Sequence, residues 1–243
     1  MNNKKLKEIG KRLLSKKGFK IVFLGDSIVS AESIHPNWRE IFEYVLKGKV
    51  SEMMNDWKTP DWGIKCINSG LNGATSQNLL THLNSEVFFY KPNMVICMIG
   101  KNDPYFKINP SAHKKNIETL TKKITEKIPF FVFCTPTPDN NKKTNKIYEQ
   151  YAEEDRFLLP QPKTQFIDLF KIYQGFDLDK IFTFISQGNE DVGIKPGEPD
   201  FQHPNALGHA YIAKVILKEV FGIDFNPELY MKTLLAGEKY PKY

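Results

Sequence analysis

The chain has 243 residues, 41% of them hydrophobic and 26% charged, with a formal net charge of +6. That length accommodates one domain with a sizeable core and is marginal for two, and the apolar fraction excludes a disordered chain. The positive charge is almost all lysine, with Arg12, Arg39 and Arg156 as the arginines, so nucleic acid is not an expected partner.

In chain order, residues 3–17 place Leu6, Ile9, Leu13 and Leu14 on one helical face, predicting an N-terminal amphipathic helix that docks on the protein itself. This stretch lacks the continuous apolar core of a signal peptide, and no segment is long enough for a transmembrane span. A cytoplasmic location is the expectation, with a trimmed secretory signal as the alternative. Apolar runs follow at 20–24, 64–67, 94–99, 130–134 and 165–169. Such continuous runs predict strands buried on both faces of a mainly parallel sheet. Between them lie helical patterns at 38–46, 76–87, 112–128, 145–158 and 206–220. Strands alternating with helices imply right-handed crossovers and a three-layer α/β/α sandwich, which binds ligands beyond the carboxyl ends of its strands. The expectation is a single domain over 1–243.

Two segments break this rhythm. Residues 47–63 read as irregular. Residues 171–199 exceed an ordinary connection and carry Phe176, Leu178, Ile181, Phe182, Phe184 and Ile185, which must be buried somewhere. They are expected as a lid insertion over the site, with Phe182 and Phe184 at the pocket; the competing reading is a small helix packed on the body. The three cysteines, Cys66, Cys97 and Cys134, are odd in number and widely spaced, each in or beside an apolar run, and read as small buried hydrophobes.

Four strand-edge or loop sequences carry chemistry. The first run ends in Gly25-Asp26-Ser27, which puts a hydroxyl at the carboxyl edge of the sheet; a helix cap is the bland alternative. The second is followed by Asn68-Ser69-Gly70-Leu71-Asn72-Gly73-Ala74-Thr75, whose glycines fit no nucleotide-binding pattern. The third ends in Gly100-Lys101-Asn102-Asp103-Pro104, a turn that also offers a side-chain N–H donor. Near the C-terminus, Asp200-Phe201-Gln202-His203-Pro204-Asn205 places a carboxylate three residues before a histidine, with Pro204 suited to the first position of the next helix. His203 is the histidine with a carboxylate in the right local place to act as a base. His35 is a candidate pocket residue, His82 and His113 read as surface or packing residues, and His209 as a packing residue. No metal-ligand spacing is present beyond a weak calcium suggestion at Asp177 and Asp179, and no cofactor is expected.

Taken together, these sequences resemble the four blocks of the SGNH hydrolases, also called GDSL-type lipases and esterases. The first block is Gly25-Asp26-Ser27 with Ile28 where the family pattern has leucine. The second glycine falls on Gly73, the third block on Gly100, Asn102 and Asp103, and the last on Asp200 and His203, over about 20 to 220 of the chain. The resemblance implies a five-stranded, flavodoxin-like sheet. It also implies Ser27 as nucleophile, His203 as base oriented by Asp200, and an oxyanion hole from the Ser27 N–H, the Gly73 N–H and the Asn102 side chain. The implied activity is hydrolysis of carboxylic esters with short acyl or acetyl groups, on a small-molecule or glycan substrate. The alternatives are an acyltransferase on the same triad and a non-catalytic carbohydrate-binding module.

Overall fold

The computed structural model describes residues 4–30, 34–158 and 163–243. Helix α1 (Lys4–Leu14) leads to β1 (Phe19–Gly25), α2 (Trp38–Met54), α3 (Lys58–Gly63), β2 (Ile64–Gly70) and α4 (Ser76–Glu86). There follow β3 (Met94–Met98), α5 (Pro110–Lys127), β4 (Phe130–Cys134), α6 (Lys142–Leu158) and β5 (Thr164–Ile167). Short helices α7 (Leu169–Tyr173) and α8 (Leu178–Ile181) precede α9 (Ala206–Phe221) and α10 (Pro227–Leu235). The sheet has the order β2-β1-β3-β4-β5, and all four pairings are parallel. The chain leaves β1 for β2 on one side and returns to β3 on the other. The crevice at such a reversal of strand order, beyond the carboxyl ends, is where open α/β sheets bind ligands.

The continuous apolar runs have a direct cause. On β1, Ile21 and Phe23 enter one core with α1, α2 and α9, while Val22 and Leu24 enter a second core with α4 and α5. On β3, Met94, Ile96 and Met98 face the first core, and Val95 and Cys97 the second. Each such side chain contributes about 1.5–3 kcal/mol by leaving water, so neither face of a central strand has room for a polar residue.

Several boundaries differ from the sequence expectation. The supposedly irregular 47–63 is largely helical. Helix α2 continues to Met54 because Val50 still reaches the core, with Lys47 paired to Glu43 one turn back at 2.7 Å. Asp56 then accepts the Lys58 and Thr59 amides and starts α3. Leu169 belongs to α7 rather than β5, since Asp168 caps the new helix by accepting the Lys171 N–H. Pro204 lies outside α9, whose cap is Asn205 accepting from Gly208 at 3.0 Å.

In 171–199 the two readings divide along the chain. Ile181 and Phe182 are buried in the first core and Phe176 stacks on Tyr211 of α9, so the first half packs on the body. Phe182 is thus a core residue, not a pocket residue, and Phe184 lines a separate groove with Ile34 and Leu207. The second half is closed by antiparallel bridges between Ile185 and Pro199 and between Asn189 and Ile194.

Gly25 ends β1 where no side chain fits. A Cβ there would lie 2.2 Å from the Met98 carbonyl oxygen and 2.4 Å from Val29 Cγ2. Since the first of these is sheet backbone and cannot give way, Gly25→Ala is expected to cost about 3 kcal/mol or more, read as a lowered denaturant midpoint with unchanged slope.

Candidate active site

Beyond Gly25 the chain turns sharply, with the Val29 and Ser30 amides donating to the Asp26 carbonyl and the Ile28 amide donating to the Asp26 carboxylate. This turn leaves Ser27 at the carboxyl edge of the sheet. Its Oγ is 3.0 Å from His203 Nε2, and His203 Nδ1 is 2.7 Å from Asp200 Oδ2. Asp200 Oδ1 accepts the backbone N–H groups of Gln202 and His203. Burial pushes the Asp200 carboxyl up, but the bond from the His203 ring and these two amides outweigh it and hold its pKa below the ordinary carboxylate value. The carboxylate therefore stays ionised and fixes the His203 tautomer, with Nδ1 protonated and Nε2 free to accept the Ser27 proton.

The loop carrying His203 is held from several sides. Asn140 N–H donates to the Phe201 carbonyl at 2.9 Å, and the buried ammonium of Lys101 donates to the Gln202 carbonyl at 2.8 Å. Lys101 is also paired with the buried carboxylate of Asp139. Burial raises the Asp139 pKa, opposed by the Lys101 charge. Gln202 Nε2 in turn donates to Tyr105 Oη at 3.0 Å. Lys101 and Asp139 carry this anchoring, and sequence reasoning missed both. The signal lay in the variable position of Gly-x-Asn-Asp, where a lysine just beyond β3 needs an acid partner once it is buried.

Gly73 and Asn102 reach the same crevice from the ends of β2 and β3. Gly73 has φ +68°, a left-handed conformation that turns the chain before α4. The amides of Ser27 and Gly73 are bonded to no acceptor among the described residues. Asn102 Nδ2 donates one hydrogen to the Ala74 carbonyl at 2.9 Å, which orients the amide and leaves its second N–H available. A cavity of about 430 Å³ is lined by Ser27, His203, Gly73 and Asn102. Its wall adds the amides of Asn72, Asn189 and Gln202, the rings of Tyr105 and Phe106, and Val192. Asn189 and Val192 come from the second half of 171–199.

The structure thus brings Ser27, His203, Gly73 and Asn102 together around one cavity, with Asp200 bonded to the His203 ring. His35 is exposed and paired with Glu40 at 2.9 Å rather than lining it. His209 packs in the core, its Nδ1 accepting the Trp38 N–H, and burial lowers its pKa to about 3. His113, read as a surface or packing residue, is instead buried between two carboxylates, so His203 is not alone in having an acid partner. The thiols of Cys97 and Cys134 are raised by burial and are poor nucleophiles. Among the described residues, no helix is long and apolar enough to cross a membrane.

Three likenesses bear on the fold. An acetylxylan esterase of Geobacillus stearothermophilus is 24% identical over 227 residues, covering 84% of this chain and 94% of that protein. A solved variant of an acetyl xylan esterase from the same organism superposes with a TM-score of 0.63 at 20% identity, covering 86% of this chain and 97% of that one. A lipase/acylhydrolase of Enterococcus faecalis gives 0.58 at 22% identity, covering 84% and 96%. Structures of the Geobacillus esterase include catalytic mutants in which a serine, an aspartate and a histidine are each replaced by alanine, the last two standing three positions apart. A family model described as GDSL-like Lipase/Acylhydrolase matches residues 21–216. The chain belongs to that family and is a carboxylic ester hydrolase.

Proposed function

We propose that Ser27, His203 and Asp200 hydrolyse short-acyl esters of a hydroxyl-rich alcohol, acetyl esters of a glycan foremost, through an acyl-enzyme on Ser27. The observation that carries the reading is the unbroken line from Ser27 Oγ through the His203 ring to Asp200, opening on a cavity that the Gly73 amide and Asn102 also line. Ser27 Oγ attacks the ester carbonyl carbon as its proton passes to His203 Nε2. The carbonyl oxygen becomes an oxyanion that accepts from the Ser27 and Gly73 N–H groups and from Asn102. The intermediate collapses, the alkoxide leaves with the proton from His203, and water, activated by the same nitrogen, releases the acid and restores Ser27. Asp200 stabilises the imidazolium in both halves.

The substrate class rests on the lining. Amides of Asn72, Asn189 and Gln202 offer both donors and acceptors, which suit hydroxyl groups better than a long alkyl chain. The acetylxylan esterase relative points the same way. The test is kcat/KM over acetyl, butyryl, hexanoyl and octanoyl nitrophenyl esters, and over an acetylated xylo-oligosaccharide with and without an acceptor alcohol. Efficiency is expected to fall beyond butyryl, and the product to be free acetate. A profile flat to octanoyl would overturn the short-acyl reading, and ester formation on the acceptor would make the enzyme a transferase. Val192 sets the limit in this reading, so Val192→Ala is expected to raise the butyryl-to-acetyl ratio by about three- to tenfold, within what one methylene is worth. Phe182→Ala should leave that ratio alone while lowering stability by about 3–5 kcal/mol.

A further inference from the structure

Behind the crevice runs a chain of buried polar side chains that touches no part of the cavity. Asp103 Oδ1 accepts the Ser76 N–H at 2.8 Å, and Asp103 Oδ2 accepts the Ser76 hydroxyl at 2.5 Å. The same Oδ2 accepts His113 Nδ1–H at 2.7 Å, and His113 Nε2–H reaches Asp155 Oδ1 at 3.0 Å. Asn116 Nδ2 completes the Ser76 hydroxyl at 2.9 Å. Ser76, Asp103, His113 and Asp155 are all fully buried.

Where these residues sit gives the chain a purpose. Asp103 adjoins Asn102 at the exit of β3, and Ser76 opens α4 three residues after Gly73 at the exit of β2. The two segments that present Gly73 and Asn102 are thus tied to one carboxylate, and that carboxylate is held from behind by His113 of α5. The His113 ring also abuts the turn before Asn102, since a Cβ at Gly100 would lie 3.4 Å from its Cε1. An imidazolium between two carboxylates is a costly thing to bury for stability alone, as apolar packing of similar volume would serve as well or better. Its geometric effect, a fixed Asp103, is what an apolar side chain could not supply.

We propose that His113 is a positioning residue for the oxyanion hole: clamped between Asp103 and Asp155, it fixes the spacing of Gly73 from Asn102 without touching substrate. This rests on the reading of Gly73 and Asn102 as oxyanion donors. The ionisable groups facing the ring are Asp103 from the β3–α5 connection and Asp155 and Tyr151 from α6, with Tyr151 edge-on at 5.3 Å. Cys97 of β3 feels the Asp155 charge, and burial holds its thiol far above the ordinary value. Burial alone would lower the His113 pKa, but its bonds to Asp103 and Asp155 outweigh that and raise it to about 9. Below that pH the ring bridges both carboxylates. Above it the ring gives up a proton, one bridge is lost, and the hole loosens.

The experiment is a kinetic cycle on the full chain with His113→Gln, Asn102→Ala and the double variant. His113→Gln is expected to lower kcat by about ten- to a hundredfold with KM within about twofold, because small misplacements of such donors are expensive. In the Asn102→Ala background the same change should cost under about threefold, since residues acting through one device are non-additive. A merely structural histidine would lower the melting temperature and leave the two effects additive, which overturns the proposal. The wild-type kcat should show an alkaline limb near pH 9, and Asp155→Asn, which removes one anion from the ring, should move it to lower pH. A wild-type kcat flat from about pH 8 to about pH 10.5 overturns the proposal even if His113→Gln does not fold. Saturating fluorophosphonate label on Ser27 in wild type and His113→Gln keeps the two readings apart. Full labelling with an additive cycle sinks only the role of His113, whereas no labelling sinks the triad.

Discussion

Ser27→Ala is expected to remove essentially all esterase activity, lowering kcat for a nitrophenyl acetate by about 10⁴-fold or more while leaving the melting temperature close to wild type. The reason is chemical rather than structural. The Ser27 hydroxyl is partly buried and, among the described residues, bonded to His203, so its loss opens no core cavity. What survives is a cavity with the proposed oxyanion donors, which by themselves should retain some acceleration over water. A fluorophosphonate should label wild type at Ser27 with one-to-one stoichiometry and leave the variant unlabelled. Labelling at another side chain, or turnover in the variant near the wild-type rate, would end the assignment of the nucleophile.

His203→Ala should be as damaging as Ser27→Ala, and the double variant no worse than either, because the pair acts as a unit. Asp200→Asn should cost about 10³–10⁴ in kcat, since an amide can hold the ring in the wrong tautomer and cannot balance the imidazolium. The low pKa of Asp200 bears on stability as well. Its folded carboxyl titrates below its unfolded value, so its stabilisation is complete above the ordinary carboxylate range and fades as pH falls through the lower folded value. Measured midpoints for wild type and Asp200→Asn should therefore converge only in strong acid. A His203→Ala variant that keeps a near-wild-type kcat would refute the role of the base.

The central strands were legible because each was buried on both faces, which leaves a run of apolar residues that no helix or exposed strand reproduces. The candidate site was legible for a different reason. Asp200 and His203 sit three residues apart, and Ser27, Gly73 and Asn102 each follow an apolar run by a few residues, so local order placed them at one sheet edge. What local order could not show were bonds across the chain. His113 meets Asp103 and Asp155 at separations of 10 and 42 residues, and Lys101 meets Asp139 at 38. Nothing in the neighbouring sequence marks these as partners. The helical character of 47–63 was hidden by Pro60, Trp57 and Trp62, which suggest a loop, whereas Pro60 lies within the first turn of α3, where proline is tolerated. In 171–199 the aromatic residues signalled burial correctly but not its direction.

The bond between Ser27 and His203 joins residues 176 positions apart. The proposed nucleophile leaves the first strand of the sheet, and its proposed base sits on the loop before α9, which packs against α2 on the same face. A nascent chain therefore carries the Ser27 hydroxyl long before it carries its His203 partner. Helices and early strand pairs can assemble from nearer contacts, and closure of so long a loop comes late. During refolding, far-ultraviolet dichroism should recover ahead of ester turnover. The enzyme's own activity then becomes a clock for the last docking event of its fold.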